Sequence, residues 1–282
     1  MASPVAALAQ TYDRGLLWRV SQAETPASYL YGTMHLADPR LLALPPAAEA
    51  AFDRARIFVL ELYPDRAVAA RFAEASLLDG DMRLDAMLPE PVFVRLRAVM
   101  GAKGATTERL RQLKPWAALL LATAAPGGGG QSPDIALYAR ARMQNKRIEE
   151  LDSVEEQIAV FDGIPLDAQL GLLEIALKRH DALAGEMEEH IATYLAGDLA
   201  GLARIARRNG GDSEAGRRHQ EKLEKAIIHD RSVVMAYRLQ AYLRRGGAFA
   251  AVGALHLYGP KGMLALLAED GWTVEPVTTG QP

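Results

Sequence analysis

Short apolar runs near both ends of the chain flank a long middle in which apolar residues recur at helical spacing. Ser28-Tyr29-Leu30-Tyr31 and Ala248-Phe249-Ala250-Ala251-Val252 sit behind turn-forming residues, the pattern of buried strands. A proline-marked helical pattern follows each, Pro45 to Arg56 in one case and Pro260 to Glu269 in the other, and a further strand follows that. The strand closing the first unit is Ile57-Phe58-Val59-Leu60-Glu61-Leu62. Two such units predict an α/β domain with a central mixed β-sheet, the strands of each unit side by side and parallel with a right-handed crossover.

The middle predicts a large helical insertion over about residues 65–245. Asp65 to Leu78, Pro91 to Met100, Thr106 to Ala125 and Asp134 to Asn145 have helical periodicity with Gly and Pro between them. Pro165 to Arg208 and Ser213 to Arg245 read as long amphipathic helices separated by Asn209-Gly210-Gly211-Asp212, able to pack as a hairpin over the sheet or to offer a homodimer face. A short strand, Arg147 to Leu151, runs into a helix whose start is marked by Ser153 and Glu156 as a capping box, leaving Asp152 at the strand's carboxyl end. The glycine-rich stretch from Ala125 to Pro133 is expected to be a plain loop rather than a lid, and it forms no P-loop. The domain is bounded at about 16–277, with tails at 1–15 and 278–282.

Chemistry enters through a repeated frame. Gly32-Thr33-Met34-His35-Leu36-Ala37-Asp38-Pro39 and Gly253-Ala254-Leu255-His256-Leu257-Tyr258-Gly259-Pro260 share G-x-x-H-L-x-x-P, and each histidine falls at a strand's carboxyl end. Ligands of open α/β sheets bind beyond those ends. Glu61 closes a buried strand, where a charged carboxylate needs a cation or hydrogen-bond donors, and a metal would serve. Two imidazoles and a carboxylate leave coordination positions open for water, as catalytic metal sites require. Such a metal lowers the pKa of bound water and polarises a scissile carbonyl. If Glu61 is a ligand, another group must move the proton. Asp134, Asp152 and Tyr258 are candidates, and Arg231 or Lys261 suits an oxyanion. Gly32 and Gly253 permit a backbone bend or a neighbour's close approach.

The remaining histidines, His180, His190, His219 and His229, read as structural, because no two share an i,i+4 face and no HExxH occurs. Cysteine is absent, which removes disulfides and thiolate ligands and favours a harder metal such as manganese.

Leu30-Tyr31-Gly32-Thr33-Met34-His35, Val59-Leu60-Glu61-Leu62 and Ala251-Val252-Gly253-Ala254-Leu255-His256-Leu257, followed by Gly259, Gly262 and Gly271-Trp272-Thr273-Val274, resemble the TraB/PrgY/GumN family, which includes the Tiki metalloproteases. Lys114-Pro115-Trp116, Leu151-Asp152-Ser153 with Glu156-Gln157, and Asp230-Arg231-Ser232 look like weaker landmarks of the same family. The resemblance implies a metal-dependent hydrolase holding its metal through His35, Glu61 and His256, with Arg231 directed at the site. In the Tiki branch it implies a peptidase preferring manganese or cobalt, with zinc as a further possibility, acting on a peptide or protein substrate. The fold would be shared with erythromycin esterases and ChaN-like haem-binding proteins, so a non-enzymatic protein that sequesters a peptide signal or haem is the alternative, and a signalling scaffold a third. Two motifs depart from the family pattern: Asp152-Ser153 stand where Glu-Thr is usual, and Ser232 where Asn is.

Composition narrows the rest. A chain of 282 residues with 50% hydrophobic content and 24% charged residues can bury a sizeable core. A net charge of −3 and the absence of a nucleic-acid motif give no case for nucleic-acid binding. No run is long and apolar enough for a transmembrane helix. Ala7-Leu8-Ala9 before Gln10 resembles the small-x-small end of a signal peptide. Together with the often exported GumN-type proteins, this makes a periplasmic or extracytoplasmic location the expectation, with the cytoplasm left open.

Overall fold

The computed structural model describes residues 12–124 and 130–278. The signal-like Ala7-Leu8-Ala9, most of the glycine-rich stretch and the last four residues lie outside the described residues.

The strands are β1 (Leu17–Ser21), β2 (Ser28–Thr33), β3 (Ile57–Leu60), β4 (Arg147–Glu150), β5 (Ala248–Gly253) and β6 (Thr273–Pro276), in one sheet of order β4-β3-β5-β2-β1-β6. The mixed sheet matches the expectation, but the strands of each β-α-β unit do not lie side by side, because the two units interleave. β5 lies between β2 and β3 and is parallel to both, with Thr33 opposite Gly253 and Leu60 opposite Ala251. The physical reason is burial. Ala248 to Val252 are at most 1% exposed, so this strand, apolar on both faces, takes the centre where helices cover it on both sides. β4 extends the parallel set beyond β3. β1, which the sequence reading did not name, pairs antiparallel with both β2 and β6.

The helices are α1 (Pro46–Arg54), α2 (Arg66–Ala75), α3 (Leu84–Met87), α4 (Glu90–Gly101), α5 (Thr107–Arg111), α6 (Pro115–Thr123), α7 (Pro133–Met143), α8 (Val154–Asp162), α9 (Leu166–Arg179), α10 (Leu183–Leu195), α11 (Leu199–Arg208), α12 (Glu214–Glu224), α13 (Arg231–Leu243) and α14 (Met263–Glu269). Several long periodic stretches break where local chemistry forbids continuation. The stretch from Thr106 to Ala125 divides into α5 and α6 because Lys114 precedes a proline and is extended, its N–H donating to the Ser76 carbonyl. Pro165 to Arg208 becomes three helices. A 3-10 turn at His180–Ala182 makes the first break, and Gly197, with φ of 65°, makes the second, before the Asp198 cap on α11. Between α12 and α13 lies a π-helical segment, Lys225–Asp230. The last unit's helix starts at Met263 rather than Pro260, after a turn closed by Gly262.

Two apolar cores result. One surrounds the sheet and includes Trp18, Phe52, Phe58 and Phe249. The other lies inside the helical insertion around Trp116, with the rings of Phe72 and Phe161 5.4 Å and 5.1 Å from its own. Among the described residues no helix is long and apolar enough to cross a membrane.

Candidate active site

Interleaving the two units brings the carboxyl ends of four parallel strands to one edge of the sheet. Thr33 and His35 follow from β2, His256 from β5, Glu61 from β3 and Asp152 from β4. Asp152 is aligned by continuation of the ladder, its N–H donating to the Glu61 carbonyl at 2.8 Å.

Glu61 lies at the centre and is 7% exposed. Its Oε2 accepts from Arg231 Nη2 at 2.6 Å and its Oε1 from the Gly253 N–H at 2.6 Å. Arg231 also donates from Nε to Asp152 Oδ2 at 2.8 Å, so its guanidinium is shared by two buried carboxylates, and Arg238 Nη1 approaches Asp152 Oδ1 to 3.9 Å. Arg231 and the Gly253 N–H supply the cation and the donor that the sequence requires of a buried Glu61, so its burial does not by itself call for a metal. Burial alone would push the Glu61 carboxyl up. The imidazoles of His256 and His35 and the Arg231 guanidinium reverse this and hold it well below the usual carboxylate range. For Asp152 burial prevails over Arg231, and its pKa is raised.

Both histidines direct Nε2 at Glu61 Oε1, His35 from 3.4 Å and His256 from 3.7 Å. Their other ring nitrogens are held. His35 Nδ1 donates to Asp134 Oδ2 at 2.8 Å, and Asp134 Oδ1 accepts from Thr33 Oγ1 at 2.6 Å. His256 Nδ1 lies 2.9 Å from Ser232 Oγ, whose one proton goes to the Ile228 carbonyl at 2.7 Å. Ser232 must then accept from Nδ1–H, which leaves the His256 Nε2 lone pair facing Glu61. Hydrogen-bonded Nδ1 and free Nε2 is the arrangement by which second-shell groups prepare histidine for a metal. Burial lowers the His256 pKa to about 4. Desolvation also acts downward on His35, but Asp134 and then Glu61 outweigh it and raise its pKa well above the ordinary value.

Gly253 makes room between these groups. A Cβ there would lie 3.2 Å from Glu61 Oε1, 3.2 Å from His35 Nε2 and 3.5 Å from His256 Cδ2. Its φ is −53°, so the missing side chain is a matter of space rather than backbone conformation. Gly32 has a different reason. A Cβ there would meet Leu257 Cδ1 at 2.9 Å and the Ala254 backbone at 3.1 Å. Among the described residues no group of three or more His, Asp and Glu side chains is converged into a ready metal cage. What is present is a donor set chemically suited to one, with a small space beside it.

A cavity of about 350 Å³ opens over this edge, its walls including His35, Glu61, Arg231, His256 and the π-helical Ile227 and Ile228. The π turn directly precedes Arg231 and Ser232, and its carbonyls at Ile227 and Ile228 accept from those two side chains. It thereby aims one residue at Glu61 and the next at His256, a common use of π turns at functional sites.

Of the residues singled out by sequence, His35, Glu61, His256, Gly253, Asp134, Asp152 and Arg231 come together. Tyr258 and Lys261 do not, because the turn after the second motif carries them into a neighbouring cavity. Thr33, Ser232, Tyr194 and His190 were missed. Tyr194 donates to the Gly32 carbonyl at 2.8 Å, and His190 shares the cavity wall. Ser232 carried a signal, since it is one of the two departures from the family pattern.

These features define an α/β protein with two strand-end histidines converging on an arginine-paired glutamate. The TraB/PrgY/gumN family model matches residues 16–276, and the chain belongs to that family. It is similar to Metalloprotease TIKI1 of Danio rerio, 23% identical over 94% of this chain and 64% of the relative. Metalloprotease TIKI2 of Danio rerio is 25% identical over 94% of this chain and 61% of its own length. Metalloprotease TIKI1 of Homo sapiens is 23% identical over 97% and 64%. The chain thus spans under two thirds of the length of these relatives.

Proposed function

We propose that this protein is a metal-dependent hydrolase that cleaves peptide bonds, with His35, Glu61 and His256 holding a divalent manganese or cobalt ion. The observation that carries the reading is the convergence of two imidazole Nε2 atoms on Glu61 Oε1 beside the space left by Gly253. The names of the similar proteins, as metalloproteases, support the reaction class.

When bound, the metal would supply an activated water and polarise the scissile carbonyl. The chain's own groups do the rest. Asp134 and Ser232 fix the two rings by their Nδ1 atoms, so each presents Nε2 without rotational loss. Arg231 holds Glu61 by the oxygen that faces away from the histidines, and Asp152 holds Arg231. The guanidinium lines the cavity with its donors spent on Glu61, Asp152 and the Ile227 carbonyl, so its part is to hold Glu61 in place. The protonated His35 of the metal-free protein must release its proton to bind metal, so metal affinity should rise with pH.

The test is cleavage of a mixed peptide library by the purified protein with manganese, cobalt, zinc or chelator, alongside Glu61→Gln. Cleavage that chelator and Glu61→Gln both abolish is expected. Peptide binding without cleavage under every metal condition would favour a sequestering protein instead.

A further inference from the structure

We propose that a cavity inside the helical insertion is the specificity pocket for one large apolar side chain of the substrate, flanking the bond to be cut. This rests on the hydrolase reading above and names the substrate class that reading leaves open. The cavity measures about 190 Å³ and is walled mainly by apolar groups, among them Trp116 and Leu120 of α6, Leu172 and Ala176 of α9, and Leu183 and Met187 of α10. Protein interiors are packed to crystal-like density, so a space of this size between helices is a feature to be accounted for. An apolar cavity of about 150 Å³ stays dry and accepts benzene. The present one matches a single aromatic or large aliphatic side chain, and it is too small for an extended lipid chain.

Its position gives it a role. Phe161, His190 and Ile227 form walls of this cavity and of the cavity over Glu61, so the two adjoin across three shared side chains. A side chain entering the pocket would leave its own backbone on the Glu61 side of that boundary. The charged groups on its walls are already paired, and Gln169 and His190 are engaged. Arg179 and Glu186 pair at 2.6 Å, and Gln169 accepts from the Trp116 N–H at 3.0 Å while donating to the Ile164 carbonyl at 2.7 Å. His190 Nδ1 donates to the Glu186 carbonyl at 3.0 Å, and burial keeps the ring's pKa low. No charge there is left to reward a charged substrate group, and burying one unpaired would be costly.

Two measurements test the pocket separately from the chemistry. The first is binding of N-acetyl-phenylalanine amide and N-acetyl-alanine amide, followed by NMR titration, to wild type and to Ala176→Leu, which fills the cavity from α9. Wild type should bind the phenylalanine compound roughly 10- to 200-fold more tightly, and Ala176→Leu should erase the preference. Leu183→Phe fills the same space from α10 if Ala176→Leu does not fold. The second is cleavage of peptide pairs differing only in Phe or Ala, with manganese. Equal affinities, or a preference that survives both filling substitutions in folded protein, overturn the pocket, as does cleavage indifferent to the exchange. Binding preference without any cleavage upholds the pocket and refutes the peptidase reading.

Discussion

His35 and His256 occupy the same place in the same eight-residue frame, yet they live in opposite surroundings. The His35 side chain is 55% exposed and tied to a carboxylate, whereas that of His256 is 3% exposed and tied to a serine hydroxyl. One is held towards its charged form and the other well away from it. Even the glycines differ in purpose, Gly32 admitting the Ala254 turn and Gly253 clearing space for the site. A repeated frame therefore specifies where the chain turns at the end of a strand, and neighbours from elsewhere decide what the histidine can do. The second copy holds a fixed, neutral imidazole in the interior, and the first an accessible imidazole at the surface.

The largest expected effect breaks what both copies share. Arg231→Met strands the Glu61 and Asp152 carboxylates without their cation and should lower stability by about 3–5 kcal/mol in urea unfolding. Gly32→Ala forces a methyl against the Ala254 backbone and should cost about 1–3 kcal/mol, while Gly253→Ala, which meets only side-chain atoms of the site, should cost less. Ser232→Ala removes the side-chain acceptor of the buried His256 Nδ1–H and should cost about 1–3 kcal/mol. His35→Ala, at the exposed copy, should change stability by no more than about 1 kcal/mol while removing metal binding and cleavage.

Acidity sharpens the contrast without any mutation. The raised pKa of His35 means the folded state holds that proton more tightly than the unfolded chain. Its stabilising contribution is complete below about pH 6.5 and is lost as pH rises through the folded value. His256 runs the other way. Its contribution is complete above about pH 6.5 and declines towards its folded value of about 4, because the unfolded chain then takes up a proton that the fold refuses. Histidine NMR titration of the metal-free protein should show one ring still protonated well above pH 6.5 and another neutral down to near pH 4. Two rings titrating together would remove the asymmetry.

Local signals made much of this legible in the sequence. The GxxH frames mark strand ends, Glu61 stands at the tail of an apolar run, and the capping box at Ser153 forms as expected. The proline after Lys114 and the glycine before Asp198 were readable as breaks, but helical periodicity ran through them and concealed the division. Strand order was legible only in part, since the unbroken apolar run of β5 marks a central strand but does not say that it inserts between β2 and β3. The decisive partners are also remote. Arg231 lies 170 residues from Glu61 and Asp134 lies 99 from His35, so their meeting is a property of the fold. The role of the π turn was equally hidden, because its work is to aim two side chains whose targets the sequence does not show.

The most direct test of the proposed metal site is equilibrium manganese binding, followed by electron paramagnetic resonance, in wild type and Gly253→Ala. One manganese ion per chain in wild type and none in folded Gly253→Ala is the expected result, because the added methyl occupies the space that His35, Glu61 and His256 share. Equal binding by both proteins would place the metal elsewhere, and no binding by wild type would remove it from the mechanism.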